Sequence, residues 1–332
     1  MNISELLSSA ENTMKKERVI IIGSGPAGLT AALYTARAQL NPLVIVGQQL
    51  GGQVAITHEV ENYPGFVNGL GGPELIEKMQ QQAERFGARY DYNEVVSVDF
   101  TNGSPFTVKT HSEEYSADAV IVTAGASPRK LGIPGEEGFT GTGVSYCGTC
   151  DGFFFRGRDI VVVGGGDSAL EEGLFLTRFA NKVEIIHRRD ELRAGPHLQK
   201  RAFANDKISF MWSTAVKEIS GNGSVNEITL IDRKTGEERP HPTQGVFIFI
   251  GHYPNSGFLD GNVAMDEEGY VITDEFMRTS VPGVYAAGEI QDPIYRQVAT
   301  SVGQGTAAAM QAEKWLSEHE DQLQDLGELV AA

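Results

Sequence analysis

The order of apolar and polar positions along the chain repeats one pattern twice. A continuous apolar run at residues 18–22 leads into a glycine-rich turn at residues 23–28 and then into helical periodicity. The same succession returns with an apolar run at residues 159–163 and a turn at residues 164–169. Uninterrupted apolar runs of this length are typical of strands buried on both faces of a parallel sheet. The sequence therefore predicts two strand-turn-helix units.

The remaining periodicity predicts the other elements. Further strands are expected at residues 43–46, 95–98, 106–108, 119–122, 182–186, 208–211, 216–219, 228–231, 245–251 and 283–287. Helices are expected from the first turn to about residue 39, over residues 72–86, from the second turn to about residue 180, and from residue 295 to about residue 317. We interpret residues 1–17 as a loose or helical extension and the acidic segment 318–328 as a solvated helix end.

The length of 332 residues exceeds the size at which one hydrophobic core keeps growing, so two domains are expected. A Ser-Pro step at residues 127–128 and the sequence Tyr-Pro-Asn-Ser-Gly at residues 253–257 are typical of crossings between domains. The predicted fold class is α/β, with two Rossmann-like nucleotide-binding domains. The second domain, residues 129–255, is inserted into the first, which combines residues 1–128 and 256–332.

The first turn, residues 23–28, has the sequence GxGxxG between a strand and a helix. In that context the glycines permit a tight turn and a close approach of the backbone to a pyrophosphate, whose charge faces the helix N-terminus. The turn therefore predicts a dinucleotide. The next strand ends in Gly47, where such sites often have an acid for the ribose hydroxyls. We expect the ribose to contact Gln48, Gln53 or backbone groups instead.

The second turn, residues 164–169, has the alanine-ending form of the same pattern. After the strand that follows its helix, the chain has Arg188 and Arg189, with Arg193 four residues on. Guanidinium groups at this position are expected to bind a ribose 2′-phosphate, where an NAD site would have an acid. The alternative is a solvated basic turn.

Acidic residues number 44 and basic residues 27, which gives a formal net charge of −17. This balance argues against a nucleic-acid partner and otherwise indicates a solvated acidic surface. No apolar run reaches about 18 residues, so we expect no membrane span. Residues 1–17 have no signal-peptide pattern, and the chain has no structural disulfide framework, which favours the cytoplasm.

The two cysteines of the chain, Cys147 and Cys150, have the CxxC spacing of a reversible disulfide. A tight turn between them can bring the sulfurs to bonding distance, so that one attacks a partner and the other resolves the mixed disulfide. A closed zinc site needs four ligands, and no CxxH, HxxxH or second CxxC occurs, so zinc would have to be shared across a dimer interface. Two incidental core thiols are the other alternative. Asp151 follows at once and could pass protons to and from a departing thiolate.

Five motifs in this order resemble those of the low-molecular-weight, bacterial-type thioredoxin reductases, and the resemblance covers residues 18 to about 316. They are the first turn, Glu-Asn-Tyr-Pro-Gly at residues 61–65, the cysteine segment 147–151, the second turn with HRRDxxRA at residues 187–194, and Tyr-Arg-Gln at residues 295–297. The resemblance implies three-layer β/β/α domains and a homodimer. It also implies FAD on the first and last segments of the chain and NADPH on the inserted middle.

The resemblance further implies that Cys150 faces the flavin, that Cys147 exchanges with thioredoxin, and that Asp151 is the acid. The FAD-binding residues would be Gly23, Ser24, Gly25, Pro26, Ala27, Gly28, Gln48, Gly52, Gln53, Asn62, Val96, Ala124, Gly125, Gly288, Glu289, Arg296, Gln297 and Val298. The NADPH-binding residues would be Gly164, Gly166, Asp167, Ser168, His187, Arg188, Arg189 and Arg193. Two positions depart from the family: Gly148, where many members have Ala, and Glu289, where Asp is common on the ribityl chain of the flavin.

The reaction implied by the resemblance passes a hydride from NADPH to flavin N5, then electrons to the disulfide, and ends in dithiol exchange with thioredoxin. The disulfide and the nicotinamide would share one domain and use the same flavin in turn, so the domains are expected to rotate between half-reactions. One alternative is a reductase or oxidase of small-molecule dithiols on the same scaffold. The other is a flavin-binding redox sensor, against which the arginine cluster argues.

Overall fold

The computed structural model describes residues 14–57 and 59–331, with side chains described up to residue 319. The chain divides into two compact units. Unit 1 consists of Met1–Glu59, Tyr63–Ser127 and Tyr253–Ala332, and unit 2 of Val60–Asn62 and Pro128–His252.

The elements are numbered in chain order. The strands are β1 (Lys15–Ile22), β2 (Leu43–Ile45), β3 (Arg89–Asp91), β4 (Val95–Asp99), β5 (Phe106–Thr110), β6 (Glu114–Val122), β7 (Ala126–Pro128), β8 (Val144–Ser145), β9 (Asp159–Val163), β10 (Lys182–Ile186), β11 (Ile208–Met211), β12 (Thr214–Gly221), β13 (Val225–Asp232), β14 (Glu238–Pro242), β15 (Val246–Ile248), β16 (His252–Pro254) and β17 (Val284–Ala286). The helices are α1 (Pro26–Arg37), α2 (Gly52–Ala55), α3 (Gly72–Glu84), α4 (Gly148–Asp151), α5 (Asp167–Leu176), α6 (Pro196–Phe203) and α7 (Val298–Ala331). Short 3₁₀ helices occupy Gly152–Phe155 and Gly257–Leu259.

Unit 1 is built on a sheet with the strand order β3-β2-β1-β6-β5-β4, and β17 pairs with the end of β6. The pairs of β1 with β2 and β6, of β2 with β3 and of β17 with β6 are parallel, whereas β4, β5 and β6 form an antiparallel meander. The apolar run of β1 lies in the middle of this sheet, with Ile20 and Ile21 fully buried. A strand covered on both faces needs such a run, which explains why it was visible in the sequence.

The two faces of this sheet have different covers. Ile21 contributes to a core that includes Ala31 of α1 and Ala312 of α7, so helices cover its face. Ile20 contributes to a core that includes Phe106 of the meander and Val271 of the later chain. Unit 1 therefore has a helical layer, a parallel sheet and a further layer of strands and loops.

Unit 2 repeats this layering with fewer strands. Its parallel sheet has the order β11-β10-β9-β15-β8, and β12, β13 and β14 form a separate antiparallel sheet. Val162 and Leu170 belong to the core on the side of α5 and α6. Val161 and Ile228 belong to the core on the side of the antiparallel sheet. The predicted α/β class with two Rossmann-like units is confirmed.

Several local expectations are corrected. Residues 15–17 are not an extension but the start of β1, where they pair with residues 115–117 of β6; residues 1–13 lie outside the described residues. Helix α7 does not end near residue 317 but continues to Ala331, because no proline interrupts residues 318–331. The acidic segment 318–328 lies in the last turns of this helix, as the interpretation as a helix end expected.

The two crossings between the units meet in a two-stranded sheet of β7 and β16. Within unit 1, Asn255 secures this ribbon: its amide Nδ2 donates to the carbonyl of Ala124 at 2.8 Å, and its backbone N–H donates to the carbonyl of Gly125 at 3.0 Å. In the described part of the chain, no helix has the length and apolar character needed to cross a membrane.

Candidate active site

Cys147 and Cys150 are joined in a disulfide, with their Cα atoms 5.3 Å apart. The segment between them is not a simple turn but the short helix α4, and Cys147 is its N-cap residue. The Cys150 backbone N–H donates to Cys147 Sγ at 3.2 Å, and the Thr149 hydroxyl lies 3.4 Å from the same sulfur. Two donor groups therefore point at Cys147 Sγ, and donors in such positions stabilise a thiolate.

No group of three or more metal-ligating side chains occurs among the residues whose side chains are described. Both sulfurs are engaged in the disulfide, as the CxxC spacing predicted.

Asp151 is largely enclosed, and its carboxylate Oδ2 lies 2.5 Å from the hydroxyl of Ser145. Burial raises the pKa of Asp151 above its ordinary value, while the hydrogen bond from Ser145 acts in the opposite direction. A carboxyl whose pKa is raised holds its proton at a higher pH, which is what a general acid near neutrality requires. The residue after Cys150 is thus a carboxyl whose pKa is raised by burial.

Helix α4 packs closely against α5 at Gly148, the position that departs from the family. A Cβ atom at Gly148 would overlap Oε2 of Glu172 on α5, so an alanine there would require the Glu172 side chain to move. A Cβ at Gly152 would lie 3.0 Å from Cδ2 of Leu176 and 3.2 Å from Cδ2 of Phe179. The glycine in the CxxC motif is therefore matched to a neighbouring glutamate.

The first glycine-rich turn fits a dinucleotide. A Cβ at Gly23 would overlap the Thr123 carbonyl, and a Cβ at Gly28 would overlap the carbonyl of Gly23, so both glycines permit close packing of the turn. A Cβ at Gly25 would meet no atom within 4 Å, and this residue is the N-cap of α1. The open space beside Gly25 at the start of a helix is where a pyrophosphate is expected.

Three other glycines of unit 1 also have open space at the Cβ position. Like Gly25, the residues Gly47, Gly52 and Gly125 have no atom within 4 Å of an ideal Cβ. The hydroxyl of Ser24 donates to the Val46 carbonyl at 2.9 Å, so it connects the turn to the following loop.

The residues predicted to contact the ribose of the first dinucleotide, and two further predicted FAD residues, lie on different elements. The Gln48 side chain donates at 2.9 Å to Glu94, which directly precedes β4, while Gln53 lies on α2. Val96 is exposed on β4, two residues from Glu94. Asn62 belongs to the segment Val60–Asn62 of unit 2, whereas the other predicted FAD residues lie in unit 1.

The end of β17 leads to the same turn. A Cβ at Gly288 would lie 2.9 Å from Cβ of Ala27, and a Cβ at Gly305 of α7 would overlap the Ala27 carbonyl. These contacts bring Gly288, which directly precedes Glu289, and Gly305 of α7 beside the first glycine-rich turn. Arg296 has a positive φ of 49° just before this helix, and its Nη2 lies 3.4 Å from the Tyr270 hydroxyl.

Glu289 provides a carboxyl in the segment that follows β17. Burial raises the pKa of Glu289 to about 7; the charge of Arg296 lowers it and that of Asp292 raises it. The side chain therefore titrates in the physiological range.

The second glycine-rich turn fits a second dinucleotide. A Cβ at Gly164 would overlap the Phe249 carbonyl, and a Cβ at Gly165 would overlap the His187 ring. A Cβ at Gly166, the N-cap of α5, would meet no atom within 4 Å. His187 is only 5% exposed, and its Nε2 has no hydrogen-bond partner among the described residues, so a polar atom is available beside the turn.

The arginine segment folds back onto this turn. The backbone N–H of Arg193 donates to the Gly165 carbonyl at 2.8 Å. The side chains of Arg188, Arg189 and Arg193 are exposed, and no described residue forms a hydrogen bond or ion pair with their guanidinium groups. The neighbouring acid, Asp190, pairs with Lys234 at 3.1 Å instead. Three guanidinium groups are thus available to an anion beside the turn.

Sequence reasoning missed the residues that support the cysteine segment. Glu136 is 2% exposed, and its carboxylate accepts hydrogen bonds from the backbone of Leu131 and Gly132 at 2.8 and 2.7 Å. It also accepts one from the Tyr146 hydroxyl at 2.9 Å, one residue before Cys147. A single Glu and a single Ser carry no motif, so only the fold reveals them.

The chain has two units that fit a dinucleotide, and one of them carries a disulfide followed by an enclosed carboxyl. These features are typical of the disulfide oxidoreductases. The profile of the family "Pyridine nucleotide-disulphide oxidoreductase" matches residues 17–305. The chain belongs to this family, within its low-molecular-weight thioredoxin reductases, as the following similarities show.

The chain is 51% identical over 310 residues to the thioredoxin reductase of Bacillus subtilis, which covers 93% of this chain and 97% of that protein. It is 53% identical over 303 residues to that of Mycolicibacterium smegmatis, which covers 91% and 97%. The crystal structure of thioredoxin reductase from Streptococcus pyogenes superposes with a TM-score of 0.88 at 45% identity, and covers 92% of this chain and 100% of that one. These matches confirm the resemblance seen in the sequence.

Proposed function

We propose that the protein uses NADPH and FAD to reduce the disulfide of thioredoxin. The observation that carries the proposal is that unit 2 holds the Cys147–Cys150 disulfide together with a dinucleotide turn flanked by three available guanidinium groups. FAD is assigned to unit 1 and NADPH to unit 2. The relatives named thioredoxin reductase support this choice of substrate.

The residues that would hold the cofactors are those of the two turns and their surroundings. Gly25 and Gly166 leave room for a pyrophosphate at the start of a helix, and Arg188, Arg189 and Arg193 suit the 2′-phosphate that distinguishes NADPH from NADH. When bound, the two cofactors supply the electrons for the reaction.

The residues of the protein itself take part in two steps: reduction of the Cys147–Cys150 disulfide, and thiol–disulfide exchange with the partner protein. Two electrons delivered to the disulfide break the S–S bond and leave two thiolates, one of which takes a proton from the Asp151 carboxyl, whose pKa is raised by burial. The Cys147 sulfur keeps the hydrogen bonds from the Cys150 backbone and the Thr149 hydroxyl, which stabilise a thiolate. That thiolate attacks the disulfide of the partner, and Cys150 resolves the mixed disulfide.

A partner protein has an aromatic surface to contact near these sulfurs. Phe153 follows Cys150 by three residues and is 50% exposed, and the guanidinium of Arg156 lies 4.9 Å from its ring centre. Exposed aromatic and arginine side chains are enriched at protein interfaces. This pair supports a protein disulfide, and not only a small dithiol, as the substrate.

The proposal includes a homodimer in the cytoplasm, where a reducing environment suits a dithiol enzyme. Sedimentation of the purified protein at several concentrations tests the dimer, and a monomer at all concentrations contradicts it.

A visible spectrum of the purified protein during titration with NADPH tests the whole proposal. We expect a flavin spectrum that bleaches with NADPH, followed by continuous NADPH consumption only when thioredoxin is added. Turnover with small dithiols or their disulfides but not with thioredoxin would favour the alternative reductase or oxidase. Bleaching without turnover on any disulfide would favour a redox sensor.

A further inference from the structure

Ser145 stands at the centre of the hydrogen bonds around the disulfide. It ends the buried strand β8, and its side chain is only 4% exposed. Its hydroxyl oxygen accepts the backbone N–H of Cys147 at 3.1 Å and lies 3.1 Å from the Cys147 carbonyl. The same hydroxyl lies 2.5 Å from the carboxylate of Asp151, to which it donates. One side chain therefore contacts both ends of the redox segment.

The surroundings make this contact rigid. Strand β8 pairs with β15, with Ser145 opposite Phe247, in the parallel sheet of unit 2. The next residue, Tyr146, donates to the buried carboxylate of Glu136, so the backbone on both sides of Ser145 is held. A hydroxyl fixed in this way can orient a neighbouring carboxyl without moving itself.

We propose that Ser145 is the positioning residue of the disulfide-opening step, because its hydroxyl ties the Asp151 carboxyl to the backbone of Cys147. The inference rests on the proposed function, in which Asp151 is the acid. The two electrons come from the reduced flavin of that function. They break the S–S bond, and the carboxyl proton passes to the leaving thiolate. One thiol, one thiolate and the Asp151 carboxylate remain, and the Ser145 hydroxyl donates to that carboxylate.

This role has a pH signature. The charged and titratable groups around the cysteine helix are Glu172, which faces Gly148 from α5, and Glu136 with Tyr146, which precede the disulfide. The pKa of Asp151 is raised first by burial, and the Ser145 hydrogen bond opposes this shift. Removing the hydroxyl should therefore raise the pKa of Asp151 further and move the decline of the acid-dependent rate to higher pH.

The test compares Ser145→Ala with Ser145→Thr, which keeps a hydroxyl. Ser209→Ala is the matched control, since the Ser209 hydroxyl is buried and has no hydrogen-bond partner among the described residues. Stopped-flow absorbance of the intact holoenzyme records how fast the NADPH-reduced flavin is reoxidised by the disulfide at each pH. NMR of protein labelled with ¹³C at the aspartate carboxyls records the titration of Asp151 in the oxidised protein, with the resonance assigned from Asp151→Asn.

For Ser145→Ala we expect the titration midpoint of Asp151 to move to higher pH. The decline of the flavin reoxidation rate at high pH should move in the same direction, and the maximal rate at low pH should be lower. Ser145→Thr should restore both midpoints, and Ser209→Ala should leave them unchanged. A lower plateau with unmoved midpoints would overturn the proposal and reduce Ser145 to a packing residue. A raised titration midpoint of Asp151 with an unchanged pH profile of flavin reoxidation would also overturn the proposal. In that case Ser145 contacts Asp151, but Asp151 is not the acid, and the error lies in the proposed function.

Discussion

The same side chain acquires different acidity at different places in unit 2. Asp190 is exposed, and its hydrogen bond with Lys234 lowers its pKa. Asp151 is enclosed, and burial raises its pKa because the charged form loses water. Of these two carboxyls, Asp151 keeps its proton to the higher pH. The residue best suited to protonate a thiolate is therefore the one that lies beside the disulfide.

Asp151→Asn removes that proton while keeping the size of the side chain. We expect reoxidation of the reduced flavin by the disulfide to slow by about 10²- to 10⁴-fold, the usual range for general acid catalysis. Reduction of the flavin by NADPH should stay near its normal rate. Stopped-flow absorbance measures both half-reactions, and Asp159→Asn, at an exposed position of the same unit, is the control. If both half-reactions are unchanged, Asp151 is a structural residue only.

Arg188→Ala tests the choice of nicotinamide cofactor. A hydrogen bond between a guanidinium and a phosphate is charge-assisted, so its loss should weaken NADPH binding by roughly 1.5 to 3 kcal/mol. This corresponds to a rise in KM for NADPH of about ten-fold or more, with KM for NADH nearly unchanged. Steady-state kinetics with both cofactors give the answer, and Arg239→Ala, an exposed arginine on β14, is the control. Equal losses with NADPH and NADH would contradict the assignment.

Glu289 gives the stability of the flavin-free protein a pH dependence. Its pKa is about 7 in the folded protein and 4.5 in the reference state, so the folded form binds the proton more tightly. The resulting stabilisation is complete below about pH 4.5 and is lost as the pH rises through 7. Glu289→Gln has no such proton, so its melting temperature should fall less between pH 5 and 8, by an amount equivalent to roughly 1 to 3 kcal/mol. Thermal melts with Glu267→Gln as an exposed control measure this, and parallel curves for wild type and Glu289→Gln would refute it.

Elements with one dominant signal could be predicted from the sequence. β9 and β10 have the predicted bounds: β9 is a buried apolar run after Asp159, and β10 has buried apolar residues at Val183, Ile185 and Ile186 in the same parallel sheet. The two turns could also be found, since Gly23, Gly28 and Gly164 are required by contacts that a Cβ would obstruct. These elements could be predicted because their own residues, and not distant partners, determine their backbone conformation.

Other elements depend on distant partners. β3 is a short, half-buried strand that was not predicted, and it exists because it pairs with β2 and because Arg89 forms an ion pair with Glu17. The same ion pair holds the polar start of β1. The helix between the cysteines was expected to be a turn, because its packing against Glu172 and Leu176 of α5 is not visible locally. Neither Ser145 nor Glu136 belongs to a motif, so their roles required the structure.

Two glycines of the first turn should respond differently to alanine. Gly28→Ala would place a Cβ against the Gly23 carbonyl and should destabilise the fold by about 1 to 3 kcal/mol. Gly25 has φ −67° and ψ −179°, which alanine can adopt, and its Cβ position is open. Gly25→Ala should therefore leave the unfolding free energy of the flavin-free protein within about 1 kcal/mol of wild type and weaken FAD binding. Denaturant melts and flavin fluorescence titrations separate the two effects; unaltered FAD affinity in Gly25→Ala would show that the pyrophosphate lies elsewhere.

The charges of the molecule are divided unevenly between its units. Unit 2 contains 16 of the 27 basic and 17 of the 44 acidic residues, which leaves it nearly neutral at −1. Unit 1 therefore carries −16 of the total of −17. NADPH is strongly anionic and must enter and leave in each turnover, so its assignment to the nearly neutral unit avoids a general repulsion.

The disulfide and the proposed NADPH site belong to one unit, since Cys150 lies only 14 residues before Gly164. The proposed flavin belongs to the other unit. The disulfide and the nicotinamide must both reach this flavin, and they cannot contact it at the same place at the same time. We therefore predict that unit 2 rotates between half-reactions. The crossings at β7 and β16 form a narrow two-stranded ribbon at which a few residues could absorb this change.

A covalent link between the units tests the rotation. Two unnatural side chains that react with each other, one placed in each unit, would fix the units while sparing Cys147 and Cys150. When the link is closed with the disulfide at the flavin, we expect flavin reduction by NADPH to be lost, because the nicotinamide cannot take its place. FAD absorbance should be unchanged. The same pair left unreacted, and a linked pair within unit 2, are the controls. A linked protein whose flavin is reduced at the unlinked rate would show that one arrangement serves both half-reactions.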